Sequence, residues 1–189
     1  MLEIHERPRA PAGNNERLQV TAGASRAALE IRSWQPEHKS GEKTLTLDGR
    51  ELPREAGATL AGPLRVLCLA PGEWLLVSDE QSPASISERL AAGLAAQGGV
   101  LTDTTDGLAV VSVRGPLARE VLSKGCGLDF HPAALPVGRC ARTRFAQMFV
   151  IVEHVENGSA YRLYVARSYV RYLTDWIADA AVEFNSSSP

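Results

Sequence analysis

Asp129 and His131 stand two residues apart in the stretch CGLDFHPAALPVG (126–138), and Ser112 or Ser123 would supply the hydroxyl of a nucleophilic trio. Such a trio usually sets its serine on a strained strand-to-helix turn, and no G-x-S-x-G pattern surrounds either serine. A structural histidine beside Pro132 is the favoured reading. Cys126, in Lys124-Gly125-Cys126-Gly127, follows the end of an expected helix. A thiolate gains stability at the opposite, N-terminal end, so an unreactive turn cysteine is favoured there even with Lys124 nearby. Asp103 and Asp106 have the chemistry of a general acid–base pair or of cation ligands. They also stand where a hairpin turn uses aspartate, and that reading is preferred.

Larger binding signatures are missing. Neither GxGxxG nor GxxxxGKS/T occurs, so a flavin or nicotinamide held by this chain alone is not expected. His5, His38, His131 and His154 are scattered, without metal-ligand spacing. Cys68, Cys126 and Cys140 are far apart and form no CxxC, which gives no support to a zinc site or a redox pair and fits a reducing compartment. Cys68 lies in the apolar run Leu64–Leu69 and reads as a buried small hydrophobe. No residue is assigned to catalysis, to a cofactor or to a metal on these grounds.

The formal net charge of -2 and the absence of a dense basic run exclude a nucleic-acid partner or an anionic membrane surface as an expectation. Arg139, Arg142 and Arg144 alternate along an expected strand and read as a solvated edge. The N-terminus lacks the apolar core of a signal peptide, and no stretch approaches the ~20 apolar residues of a membrane span. A cytoplasmic protein is expected.

The elements that must position these residues follow from periodicity and punctuation. Residues 1–24 are polar and broken by Pro8, Pro11 and Gly13, and are expected to form a flexible arm ordered only by a partner. Residues 25–184 should form the folded domain, and 185–189 should fray. Residues 27–34 suit a strand; 35–62 is long and irregular, with a short strand running into Asp48-Gly49. Leu64–Ala70 and Trp74–Val77 flank a Pro71-Gly72 turn. Ser82-Pro83 opens a helix whose Ile86, Leu90 and Leu94 recur on one face, ended by Gly98-Gly99. Val100–Thr105 and Leu108–Arg114 are expected to pair as a hairpin around Asp106-Gly107. Gly115-Pro116 starts a second helix, with Leu117, Val121 and Leu122 inward, a Glu120–Lys124 pair, and Gly125 as the stop. Residues 141–146, 149–155 and 160–166 are strands, the last two joined by Asn157-Gly158. Ser168 should cap a final helix with Tyr169, Tyr172, Leu173, Trp176, Ile177 and Ala180 on its buried face. Strand pairs alternating with single helices predict an α+β fold of antiparallel sheets covered by helices, resembling two ferredoxin-like units.

Four blocks then carry a resemblance. Leu69–Val77 (LAPGEWLLV) resembles the L-x-P-x-E-W-L-L-V signature of the gamma subunits of heterotetrameric sarcosine oxidase. Asp103–Leu122 and Lys124–Pro132 are similar to the family's next blocks, and Val165–Trp176 to its R-S-F/Y-x-x-Y-L-x-x-W helix. The resemblance covers about residues 64–182. It implies a fold related to the aminomethyltransferase of the glycine cleavage system and other folate-binding proteins. It also implies a non-catalytic, cofactor-free subunit of an oxidoreductase that demethylates sarcosine to glycine, releasing hydrogen peroxide and either formaldehyde or methylene-tetrahydrofolate. By the same resemblance FAD and FMN belong to a beta-type partner, NAD and tetrahydrofolate to an alpha-type partner on which this chain packs, and a small delta-type subunit completes the assembly. An isolated subunit of this kind should expose an apolar patch, with the arm and residues 35–62 as contact candidates. The alternative is a freestanding folate-dependent aminomethyltransferase-like protein or a folate-binding module, for which Asp103 or Asp106 would have to grip the pterin.

Overall fold

The computed structural model describes residues 17–33, 45–47, 49–96, 98–156 and 159–185. The elements run β1 (Gln19–Gly23), β2 (Ala27–Ser33), β3 (Thr46–Leu47), β4 (Arg50–Glu51), β5 (Thr59–Leu60), β6 (Arg65–Ala70) and β7 (Glu73–Ser78). They continue with α1 (Pro83–Ala96), β8 (Gly99–Asp103), β9 (Leu108–Arg114), α2 (Ala118–Gly125), β10 (Arg139–Phe145), β11 (Met148–Glu156) and β12 (Ala160–Ala166). A 3-10 turn, Arg167–Tyr169, leads into α3 (Val170–Asn185). The chain forms two compact units: a central one, Ala24–Leu108 with Gly138–Arg142, and a terminal one made of the remaining segments, including both chain ends.

The central sheet has the order β5-β6-β7-β2-β8, antiparallel throughout. Without the two-residue β5 its order is that of a ferredoxin-like unit. A first strand, β2, is flanked by the second strand of the hairpin β6–β7 and by β8, which returns after α1. The terminal sheet, β1-β9-β12-β11-β10, repeats the plan. There β9 is the first strand, β11–β12 is the hairpin, and the fourth place beside β9 is taken by β1 from the start of the chain. The α+β expectation with two ferredoxin-like units therefore describes both sheets.

Local chemistry explains the central unit well. The Ser82 hydroxyl accepts the Ser85 N–H at 3.3 Å, capping α1, and Pro83 occupies its first position. Ile86, Leu90 and Leu94 are buried against Leu29, Ile31 and Leu76. Trp74 joins this core while its indole N–H donates to the Pro53 carbonyl at 2.7 Å. The short β3–β4 hairpin falls where Asp48-Gly49 predicts a turn.

Several expectations change. Val100–Thr105 and Leu108–Arg114 do not form a hairpin: β8 pairs with β2, and β9 with β1 in the other sheet. The Thr104 hydroxyl donates to the Ala28 carbonyl at 3.1 Å, and the Thr105 hydroxyl accepts the Ala28 N–H at 3.0 Å. These bonds hold the chain on β2 past the end of β8, so the Asp-Gly signal marks a connection between sheets. Residues 1–16 of the expected arm lie outside the described residues, but Gln19–Gly23 pair with Arg114–Val110 as β1. Ser168 lies inside the 3-10 turn and is not the cap of α3. Leu173, Ile177 and Ala181 are the buried line of α3, whereas Tyr169 and Tyr172 are exposed. Gly125 ends α2 by close approach: an added Cβ would lie 2.7 Å from both the Phe145 and Trp176 rings. Asn185, expected to begin the frayed tail, is instead the last residue of α3; the rest of that tail, 186–189, and the expected turn at Asn157-Gly158 fall outside the described residues.

The start of α2 depends on the residue that leads into β1, Arg17. Gly115 has φ +114°, and an added Cβ would sit 2.5 Å from the Arg17 carbonyl oxygen. That same carbonyl accepts the Leu117 N–H at 3.1 Å, doing what an N-cap side chain does elsewhere.

Candidate functional site

In the terminal unit, α2, the 126–138 loop and the end of α3 border an open groove of about 640 Å³. Ser123, Asp129 and His131 all line it, so the fold gathers one of the two sequence-predicted trios; Ser112 lies on β9 and does not line the groove. Their hydrogen bonds are arranged for structure. The Ser123 hydroxyl donates to the Arg119 carbonyl, one turn back, at 2.8 Å. Asp129 Oδ1 accepts the backbone N–H of His131 at 2.8 Å. His131 Nδ1 accepts the Ala133 N–H at 3.2 Å, so the neutral ring carries its proton on Nε2. A nucleophilic trio needs the reverse, with a proton on Nδ1 facing the carboxylate and a bare Nε2 facing the hydroxyl. Asp129 and His131 build the loop.

Lys124 is also committed. Its Nζ donates to the Ala180 carbonyl and to Glu183, both at 2.6 Å, and lies 4.4 Å from the centre of the Phe184 ring. The expected partner was Glu120; the observed contacts clamp α2 to the last turns of α3. Cys126 is buried, with its Sγ 3.5 Å from the Thr143 hydroxyl and accepting the Leu128 N–H at 3.4 Å. In the central unit, Asp103 Oδ1 accepts the Thr105 N–H at 3.0 Å and its hydroxyl at 2.6 Å, a local turn contact at the end of β8 in place of the expected hairpin role. Among the described residues no three His, Cys, Asp or Glu side chains are grouped to hold a metal ion, and no helix is long and apolar enough to cross a membrane. His5 and His38 lie outside those residues.

A cluster that the sequence did not signal holds the loop in place. His154, 4% exposed, sits 2.8 Å through Nδ1 from the Leu135 carbonyl, which can only accept, so Nδ1 carries the proton. Its ring stacks on Tyr161 at 4.7 Å, and Phe130 meets Tyr161 edge-on at 5.3 Å. Burial pushes the Tyr161 phenol upward, and its hydroxyl donates to the Phe130 carbonyl at 3.4 Å.

Charge pairs order the edge of the central unit. Arg142 donates to both oxygens of Glu73, at 3.2 and 2.9 Å, and Arg32 approaches the same carboxylate at 3.0 Å. The hydrogen-bonded guanidinium of Arg142 holds the Glu73 carboxyl below the usual range, against the opposing effect of burial. Arg139 donates to Glu55 at 2.7 Å and to the Ala56 carbonyl at 3.0 Å. Arg142 and Arg144 are exposed on the edge strand β10 as expected, and Arg139 and Arg142 are in addition paired with carboxylates. Cys68 is fully buried as expected, and burial raises its thiol pKa.

The sequence profile of the sarcosine oxidase, gamma subunit family matches residues 43–183. The chain is 32% identical to a sarcosine oxidase subunit gamma of Arthrobacter sp. over 140 residues, covering 73% of this chain and 68% of that protein. It is 33% identical over 141 residues to the corresponding subunit of Corynebacterium sp. (strain P-1), with the same coverage. Its fold matches a chain of heterotetrameric sarcosine oxidase from Corynebacterium sp. U-96, solved in complex with pyrrole 2-carboxylate. That match has a TM-score of 0.77 at 24% identity and covers 93% of this chain and 89% of that one. A more distant likeness is to glycine cleavage system aminomethyltransferase T from Bartonella henselae, with a TM-score of 0.56 at 11% identity, covering 86% of this chain and 46% of that one. The profile match and the two relatives agree on one conclusion, that the chain belongs to the sarcosine oxidase gamma subunit family.

Proposed function

We propose that this chain is the small, cofactor-free gamma-type subunit of a cytoplasmic heterotetrameric sarcosine oxidase, and that it serves assembly rather than turnover. In this reading it packs on an alpha-type subunit that carries NAD and tetrahydrofolate, beside a beta-type subunit with FAD and FMN and a small delta-type subunit. The family match over residues 43–183 carries the proposal. The hydrogen bonds of Ser123, Asp129 and His131 support it, because they commit the groove's reactive groups to holding the loop.

The test is co-expression of the tagged chain with alpha- and beta-type subunits encoded beside it, followed by purification through the tag. The expected product is a yellow complex that consumes oxygen with sarcosine. A colourless chain that purifies alone, while the larger subunits are well expressed, would sink the reading.

A further inference from the structure

Every exposed aromatic side chain among the described residues lies at one end of the terminal sheet. They are Phe149 (76% exposed), Tyr169 (49%) and Tyr172 (43%). The register explains the gathering. Ile151 stands opposite Tyr164, so Phe149, two residues before Ile151, is at the same end as Ala166, two residues after Tyr164. The 3-10 turn Arg167–Tyr169 follows Ala166 directly, and Tyr172 lies one helical turn beyond Tyr169. On the other side of Phe149 is the two-residue turn Ala146–Gln147. The residues bordering that turn, Phe145 and Met148, are both buried, so by strand alternation Arg144 and Phe149 face outward together.

Arg144, Arg167 and Arg171 are interleaved with the rings, and all three are exposed. Arg144 and Arg167 have no carboxylate partner among the described residues; Arg171 shares only a solvent-facing contact of 3.6 Å with Asp175. Phe145, which faces the other way from Arg144, meets Trp176 of α3 at 4.8 Å, so Arg144 and Phe149 stand on the sheet face away from α3, and the arginines and rings flank this end of the sheet from both sides. Arginine, tyrosine and phenylalanine enriched together, with lysine absent, is the composition of a protein–protein contact centre. Three aromatic rings left in water are otherwise unfavourable by the apolar area they expose.

We propose that this end of the terminal sheet is the face that docks on a larger subunit of the oxidase, and that the occupant is an acidic protein surface whose carboxylates meet Arg144 and Arg167 around sockets for Phe149 and Tyr172. The proposal rests on the subunit reading above and deepens it. It differs from the expectation that the N-terminal arm and residues 35–62 carry the contact. A single-stranded nucleic acid can also use arginines and rings. Three arginines without a dense basic run are few for a phosphate backbone, which favours the protein partner.

The experiment uses the full chain co-expressed with the alpha- and beta-type subunits. Wild type is compared with Phe149→Ser, with the double variant Arg144→Glu/Arg167→Glu, and with Val100→Ser, an exposed site in the central unit. Affinity is read by titration at two salt concentrations, and thermal unfolding of each isolated chain checks its fold. The expected result is a loss of about tenfold or more in affinity for both patch variants, with unfolding temperatures unchanged. Val100→Ser should assemble as wild type does, and the charge-reversed pair should lose most of the salt dependence. Patch variants that assemble normally beside an assembling wild type would overturn the docking face and leave the subunit reading intact. A wild type that never assembles overturns both. Nucleic acid that co-purifies with wild type and is lost in the patch variants, with assembly unaffected, overturns the assignment of the occupant.

Discussion

Replacing the Glu73 carboxylate by an amide keeps its volume and removes its pairing with Arg142 and Arg32. Both arginines are largely solvated, so Glu73→Gln should lower stability by only about 1 kcal/mol near neutral pH, measured by urea unfolding. The pH dependence has a definite sign. The folded carboxyl titrates below its unfolded value of ~4.3, so its contribution is full above that value. It is lost as the pH falls through the lower, folded value, and wild type and Glu73→Gln should converge in acid. A difference that instead grows in acid contradicts the assignment. His154→Phe preserves the stacking on Tyr161 but leaves the buried Leu135 carbonyl without its donor. A loss of about 1–3 kcal/mol is expected. Hydrogen exchange should show the 126–138 loop loosening first. Nothing in the sequence announced His154, because its partner is a backbone carbonyl in a distant loop; a side-chain motif cannot encode that.

Gly125 separates two influences on a helix. By propensity alone, Gly125→Ala near the end of α2 should stabilise by up to about 1 kcal/mol. The Phe145 and Trp176 rings, 2.7 Å from the added methyl, predict the opposite, a loss of about 1–3 kcal/mol seen as a lower unfolding temperature. A raised temperature would show that the two rings yield. The elements that sequence reading recovered are those with local causes. α1 was legible because Ser82, Pro83 and the four-residue spacing of Ile86, Leu90 and Leu94 all act within one segment. β8 and β9 were legible as strands but not as partners, since pairing was decided by Thr104 and Thr105 holding to Ala28. In α3 the period was right and the width wrong. Six apolar residues at helical spacing span more of the surface than one sheet buries, and Tyr169 and Tyr172 fall on the outer margin. Of the candidate site, the gathering of Ser123, Asp129 and His131 was foreseen as a possibility, but its hydrogen-bond directions depend on loop geometry that residue types do not specify.

For the molecule as a whole, the family assignment came from blocks distributed through both units, whereas the plan of the sheets required coordinates. The terminal sheet borrows its fourth strand from the other end of the chain, and Gln19 pairs with Arg114. Deleting residues 1–23 should therefore do more than trim an arm. It removes β1, exposes the edge of β9 and takes away the Arg17 carbonyl that caps α2. Loss of the cooperative thermal transition is expected, while a truncated chain that melts like the full one would show β1 to be dispensable. The same borrowed strand sets an order on biosynthesis. The segment Ala24–Leu108 is synthesised before α2 and α3, so most of the central unit can begin to fold while translation continues. β1, made first, has no neighbour until β9 appears, and α3, made last, completes the layer beside it. β1 cannot pair until β9 has been made, a contact of high sequence separation of the kind that slows folding.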